Sequence, residues 1–178
     1  MSLEEKKLSS ETIYDGRIIN VFRDTVLLPN GNTAHREVVR HPGGVGVLAI
    51  DKDRNVYMVR QFRYPFGEVL LEIPAGKRDK FGESPEDVGR RELLEECGLK
   101  AGEMHSLGSV YPTCGFCDEE IFLFWTDDFE QAECCPDEDE FVEVEKISLD
   151  VLVGMVMRGE IKDSKTVAAI LKLSVMLS

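Results

Sequence analysis

The chain has 178 residues, 31% of them charged and 43% hydrophobic, which suits one globular domain with room for a small appendage. No apolar run approaches the roughly 20 residues of a membrane-spanning helix, and the opening MSLEEKKLSS lacks the apolar core of a secretory signal, so the expectation is a cytoplasmic protein with no membrane partner. A formal net charge of −13 excludes the basic footprint of non-specific nucleic-acid binding.

In chain order, residues 12–40 read as an antiparallel β unit. Ile18, Val21, Thr25, Val26 and Leu27 supply β-branched and apolar character, and Pro29-Asn30-Gly31-Asn32 is a hairpin turn leading to a return strand over 33–39. His41-Pro42-Gly43-Gly44 then breaks the chain. This places a boundary between an N-terminal unit, 1–42, and a main domain, 43–178. The nearly continuous apolar run 45–50 has the pattern of a strand buried on both faces. A polar turn at 51–55 leads to a strand over 56–62.

Residues 76–99 read as a loop, a capped helix and a stop. Ser84 is the N-cap, Pro85 suits the first helical position, Asp87 completes a capping-box pattern and Gly98 ends the helix. On a helical wheel Leu93, Leu94 and Cys97 lie on one side and Glu92, Glu95 and Glu96 on the other. Three carboxylates without an interleaved lysine repel, Glu92 and Glu96 most directly. Such a face is either fully solvated or holds a cation, and a hard divalent ion such as Mg2+ takes this kind of oxygen ligand.

Strands at 106–111 and 120–125 flank a Pro-Thr-Cys-Gly-Phe loop, and residues 127–140 then carry eight carboxylates and no Lys or Arg. Residues 141–147 alternate as a half-buried strand. Ser148 caps a helix running through Met157, and Gly159 ends it. Asp163 caps a last helix with Val167, Ile170, Leu171 and Val175 on one face. Strands on both sides of a central helix, with helices closing the chain, give a layered α/β (α+β) sandwich. Of the five cysteines, Cys114 and Cys117 form one C-x-x-C and Cys134-Cys135 are adjacent. That is a poor second zinc knuckle, so reduced, unligated thiols are the reading.

The pattern Gly76, Glu83, Arg91-Glu92-Leu93, Glu95-Glu96, Gly98-Leu99 closely resembles the Nudix box of hydrolases that cut nucleoside diphosphates linked to another group. Nine fixed positions at about one in ten each make a chance match of order one in a billion windows. The loop between Gly76 and Glu83 has six residues where the family usually has five. Gln61-Phe62-Arg63, Leu71-Glu72-Ile73-Pro74-Ala75-Gly76 and the segment 163–169 resemble the ADP-ribose pyrophosphatase branch, as does the N-terminal β unit. One departure is Cys114, where that branch commonly carries a proline.

The resemblance implies a Nudix-type α/β/α sandwich with a small N-terminal antiparallel β unit, commonly part of a homodimer. It implies Mg2+, or alternatively Mn2+, as cofactor, and a nucleoside diphosphate derivative as substrate, ADP-ribose first, yielding AMP and ribose 5-phosphate. Glu92, Glu95 and Glu96 match the metal ligands, Glu96 being counted as catalytic too, and Ala75 matches a position that contributes its carbonyl. Glu83 and Arg91 match a pair that braces the loop against the helix. Arg63 matches a phosphate-contacting arginine, and Glu119 a position near substrate. The general base of this branch comes from a loop before a late strand, which points to Glu140 first and Glu138 second. Outside this pattern Arg63 reads as a strand-end charge and Glu72 as a surface residue. Tyr14, Phe22 and Arg23 are the stacking groups the N-terminal unit offers to a base. The alternatives are another nucleotide-sugar or dinucleotide diphosphatase, such as one acting on GDP-mannose, and a non-catalytic nucleotide sensor on the same fold.

Overall fold

A computed structural model describes residues 2–80, 82–133 and 141–178. The chain divides into two compact units, Met1–Gly43 with Tyr111–Glu120, and Gly44–Val110 with Ile121–Ser178.

The first unit is a three-stranded antiparallel sheet of β1 (Lys6–Asp15), β2 (Asn20–Leu27) and β3 (Thr33–Arg40), with β2 in the middle. The β2–β3 turn closes where the Pro-Asn-Gly-Asn signal predicts it, Leu28 N–H donating to Asn32 O at 2.8 Å and Gly31 N–H to Leu28 O at 2.9 Å. The first strand starts at Lys6 rather than near residue 12. All ten of its residues are exposed, so no inside–outside alternation marks it in the sequence, and backbone pairing to β2 with two register irregularities defines it instead. Segment 111–120, a loop in the sequence reading, belongs to this unit. It is fastened to β3 by Val39 N–H to Phe116 O at 2.7 Å and Asp118 N–H to Val39 O at 3.1 Å. Asp118 adds an ion pair to Arg40 at 2.8 Å and accepts the His41 N–H at 2.9 Å.

The second unit is built on β4 (Gly44–Ala49), every residue of which is buried. Val45, Val47 and Ala49 join one apolar cluster, whereas Leu48 and the following Ile50 join another. That double covering is why the sequence shows a continuous apolar run instead of alternation. After β4 come β5 (Asn55–Arg63), β6 (Glu68–Glu72) and β7 (Ala75–Lys77). The helix α1 (Pro85–Cys97) follows, with β8 (Leu99–Ala101), β9 (His105–Val110), β10 (Ile121–Thr126) and β11 (Phe129–Gln131) after it. The chain closes with β12 (Val142–Ser148), α2 (Leu149–Met157) and α3 (Ser164–Met176). One sheet runs β7-β4-β10-β9 with β4 and β10 parallel, another runs β12-β5-β6, and β11 pairs with β8. Val88 and Leu93 of α1 pack in one cluster. Leu149 and Leu152 of α2 and Ala169, Ile170 and Leu173 of α3 pack in the other. The unit is therefore an α/β/α sandwich. Among the described residues no helix is long and apolar enough to cross a membrane.

Two local expectations are corrected. Residues 75–77 form a short strand on β4 rather than the start of a loop, with Val45 opposite Gly76. Tertiary pairing there overrides a turn-like composition. The buried stripe of α3 is Lys165, Thr166, Ala169, Ile170 and Leu173. Of the expected face only Ile170 is fully buried, and Val175 is 75% exposed. The stripe is rotated because two polar residues in the first turn have buried partners in the sheet.

Candidate active site

The helix caps form as the spacing predicts. Ser84 Oγ accepts the Asp87 N–H at 3.1 Å, and Gly98 ends α1 in the left-handed conformation with φ 62°. What the caps position is a carboxylate face that is not solvated: Glu92 is 5% and Glu96 2% exposed. The face lies against β7. Glu96 Oε2 accepts the Ala75 N–H at 3.0 Å. A Cβ on Gly76 would sit 1.9 Å from the Glu92 carboxyl carbon and Oε1, so the Glu92 carboxylate fills the space that any other residue's side chain would need.

Arg91 holds the acids together. Its Nη1 donates to Glu92 Oε1 at 2.7 Å and to Glu95 Oε2 at 2.9 Å, and Nη2 reaches Glu83 Oε2 at 3.4 Å. Burial works against the charge of this guanidinium, but the surrounding carboxylates outweigh it and raise its pKa well above the ordinary arginine value. Arg91 thus bridges Glu83, which precedes the helix, to Glu92 and Glu95 on it.

A second ion network lies at the end of β6. Glu72, 1% exposed, accepts from Arg63 through both oxygens, Nε to Oε1 at 2.7 Å and Nη2 to Oε2 at 2.8 Å. This is the forked geometry that fixes an arginine most firmly. Buried Lys165 of α3 pairs with Glu72 Oε2 and, at 3.0 Å, with Asp163 Oδ2. Asp163 also caps α3 by accepting the Thr166 N–H at 3.0 Å, while Thr166 Oγ1 accepts the buried Ile73 N–H at 3.0 Å. Burial pushes the Glu72 carboxyl up, yet the Arg63 hydrogen bonds and the Lys165 charge hold it below the usual carboxylate range.

Apart from the family resemblance the sequence reads Glu72 as a surface residue, gives Asp163 only the cap of the last helix and gives Lys165 no role. The available signals were a carboxylate between Leu71 and Ile73 in an apolar run, and a lysine within the first turn of an amphipathic helix.

Glu83, Arg91, Glu92, Glu95, Glu96, Ala75 and Arg63 all lie in the second unit. Glu119 lies in the first, where its carboxylate is 3.4 Å from His41 Nδ1. Glu138 and Glu140 lie outside the described residues. Of the stacking groups, Tyr14 is exposed and Arg23 is paired with Glu11. The groups that the resemblance singles out on α1 and β7, three carboxylates and the Ala75 carbonyl, are all oxygen donors, the type that a hard divalent cation takes. Among the described residues no three His, Cys, Asp or Glu side chains gather into a metal-ligating group. Glu92 and Glu95 face the Arg91 guanidinium instead.

The family of the chain follows from this fold and from a direct comparison. The NUDIX domain model matches residues 40–170, and the chain belongs to the Nudix family of hydrolases. The model of the nucleoside diphosphate sugar hydrolase N-terminal domain matches residues 5–39. The ADP-ribose pyrophosphatase of Bacillus subtilis (strain 168) is 42% identical over 173 residues, covering 95% of this chain and 92% of that protein. The methanol dehydrogenase activator of Bacillus methanolicus is also 42% identical, over 169 residues covering 94% and 91%. A GDP-mannose pyrophosphatase of Yersinia enterocolitica is 31% identical over 180 residues, covering 94% and 93%. A crystal structure described as an ADP compounds hydrolase superposes with a TM-score of 0.86 at 20% identity, covering 99% of this chain and 96% of that one, which establishes the likeness of fold.

The Glu72 network makes stability depend on pH in a defined direction. Its folded pKa lies below the unfolded value near 4.5, so its contribution is complete above that pH and is lost as pH falls through the folded value. Glu72→Gln is expected to cost about 3–5 kcal/mol near neutral pH, the scale for removing one partner of a buried ion pair. The gap from wild type should narrow below about pH 4.5 in denaturant titrations. A gap constant with pH would refute the assignment of that titration to Glu72.

Proposed function

We propose that the chain hydrolyses the diphosphate bond of ADP-ribose to AMP and ribose 5-phosphate, with Mg2+ or Mn2+ held by Glu92, Glu95, Glu96 and the Ala75 carbonyl. The observation that carries this reading is the buried carboxylate face of α1 seated against Gly76. When bound, such a metal neutralises the diphosphate and lowers the pKa of the attacking water. The 42% identity to an ADP-ribose pyrophosphatase, against 31% to a GDP-mannose pyrophosphatase, favours ADP-ribose as substrate.

The chain's own residues divide the remaining work. Arg63 is oriented by its fork to Glu72, which leaves Nη1 as the edge for a phosphate oxygen. Arg91 and Glu83 brace the box loop and keep Glu92 and Glu95 on one side of α1. Glu140, with Glu138 as second choice, takes the proton from the attacking water, and Glu119 contacts substrate. The N-terminal unit contributes to a homodimer, and the protein acts in the cytoplasm on a small molecule rather than on nucleic acid.

A Mg2+-dependent hydrolysis panel of ADP-ribose, GDP-mannose, NADH and diadenosine polyphosphates tests the substrate. ADP-ribose is expected to show the highest kcat/KM. Another compound ranking first would replace it, and no turnover on any of them would overturn the enzymatic reading in favour of a nucleotide sensor.

For the base, Glu140→Gln is expected to lower kcat by about 10²–10⁴-fold, the usual range for general-base loss, with Glu138→Gln close to wild type. If neither changes kcat by more than a few-fold, the base is not in this loop.

A further inference from the structure

The hydrolytic chemistry leaves one sequence motif unused, the C-x-x-C of the segment that joins the first unit. Thr113 O accepts both the Phe116 N–H at 3.3 Å and the Cys117 N–H at 3.1 Å. Residues 113–117 therefore make one helical turn, and Cys114 and Cys117 stand three residues apart on it. At that spacing Cβ atoms are about 5–6 Å apart, and a disulfide requires about 3.5–4.5 Å. Closing the difference needs a small tightening of the turn. Gly115 lies between the two cysteines, and with no side chain its backbone is the most adaptable point of the turn.

The two thiols are also unequal. Cys114 is exposed and Cys117 half-buried, and both are free thiols. Cys117 pairs with Val39 in a β-bridge, flanked by the Val39–Phe116 and Val39–Asp118 hydrogen bonds. One cysteine is therefore presented to solvent, and the other is anchored by its backbone three residues further along the same turn. Among the described residues neither belongs to a group of three metal-ligating side chains.

We propose that Cys114 and Cys117 are a reversible dithiol–disulfide pair that exchanges with low-molecular-weight disulfides. The Cys114 thiolate attacks one sulfur of the small disulfide, forms a mixed disulfide and releases one thiolate. The Cys117 thiolate then attacks Cys114 Sγ, closes the intraloop disulfide and releases the second. The two cysteine protons end on the two released thiols, so one small disulfide is reduced for each pair oxidised. Short intraloop disulfides of this kind in a reducing compartment are redox-responsive rather than structural.

The test uses the full-length folded protein equilibrated in reduced and oxidised glutathione at stepped ratios, followed by thiol blocking with iodoacetamide and peptide mapping. The expected product is a peptide containing both Cys114 and Cys117, unalkylated and about two mass units lighter than the dithiol, that dithiothreitol converts back. Cys114→Ser and Cys117→Ser should each abolish it and leave the remaining thiol alkylated or carrying one glutathione. The proposal is overturned if the oxidised wild type carries glutathione separately at the two positions, or bridges either one to Cys97, Cys134 or Cys135. Stoichiometric zinc that is lost in both variants would overturn it as well.

Discussion

The second unit depends on how closely the acidic face of α1 approaches β7. Carboxylates buried as deeply as Glu92 and Glu96 carry a large desolvation cost unless donors or cations surround them. Here the Ala75 N–H meets Glu96, and Arg91 spans Glu92, Glu95 and Glu83. The approach is possible only because residue 76 has no side chain, and because β7 is fixed to β4 through residues 75–77. Strand pairing, a glycine and a capped helix thereby impose the same local arrangement of oxygen donors.

A parallel arrangement fixes Arg63. An exposed arginine at a strand end samples many rotamers, and ordering it at the moment of binding costs affinity. The fork to Glu72 removes that freedom in advance, and Lys165, itself held by Asp163, keeps Glu72 ionised and in place. Because Asp163 also caps α3, the last helix of the chain is tied to the ion network that positions a residue on β5. The network ties α3 to the sheet and, in the proposed function, presets the arginine that meets phosphate.

Much of this was legible in the sequence. The caps at Ser84 and Gly98, the doubly buried strand after Gly43 and the hairpin at Pro29–Asn32 each follow from one local rule, because each is decided by backbone geometry or by burial on both faces. The first strand escaped because ten exposed residues leave no periodicity to read. Glu72 and Lys165 escaped for the opposite reason. Buried charges look like surface charges until the fold brings together residues more than ninety positions apart. The box glutamates are legible by their spacing, and the wheel sets them opposite Leu93 on a face that is either solvated or holds a cation. The burial of Glu92 and Glu96 against β7 is absent from the wheel, because it depends on strand pairing.

Gly76→Ala isolates the central claim, because the added Cβ collides with the end of the flexible Glu92 side chain rather than with backbone, so the fold should survive while the carboxylate moves. The direct measurement is Mn2+ binding by electron paramagnetic resonance, with wild type and Gly76→Ala titrated side by side and folding checked by circular dichroism. The expected result is Mn2+ bound by wild type and displaced by Mg2+, with affinity about 10–100-fold weaker in the variant, the scale for disturbing a ligand's orientation. Equal affinity in the two proteins, or no binding by wild type, would contradict the assignment of the α1 carboxylate face as the metal site.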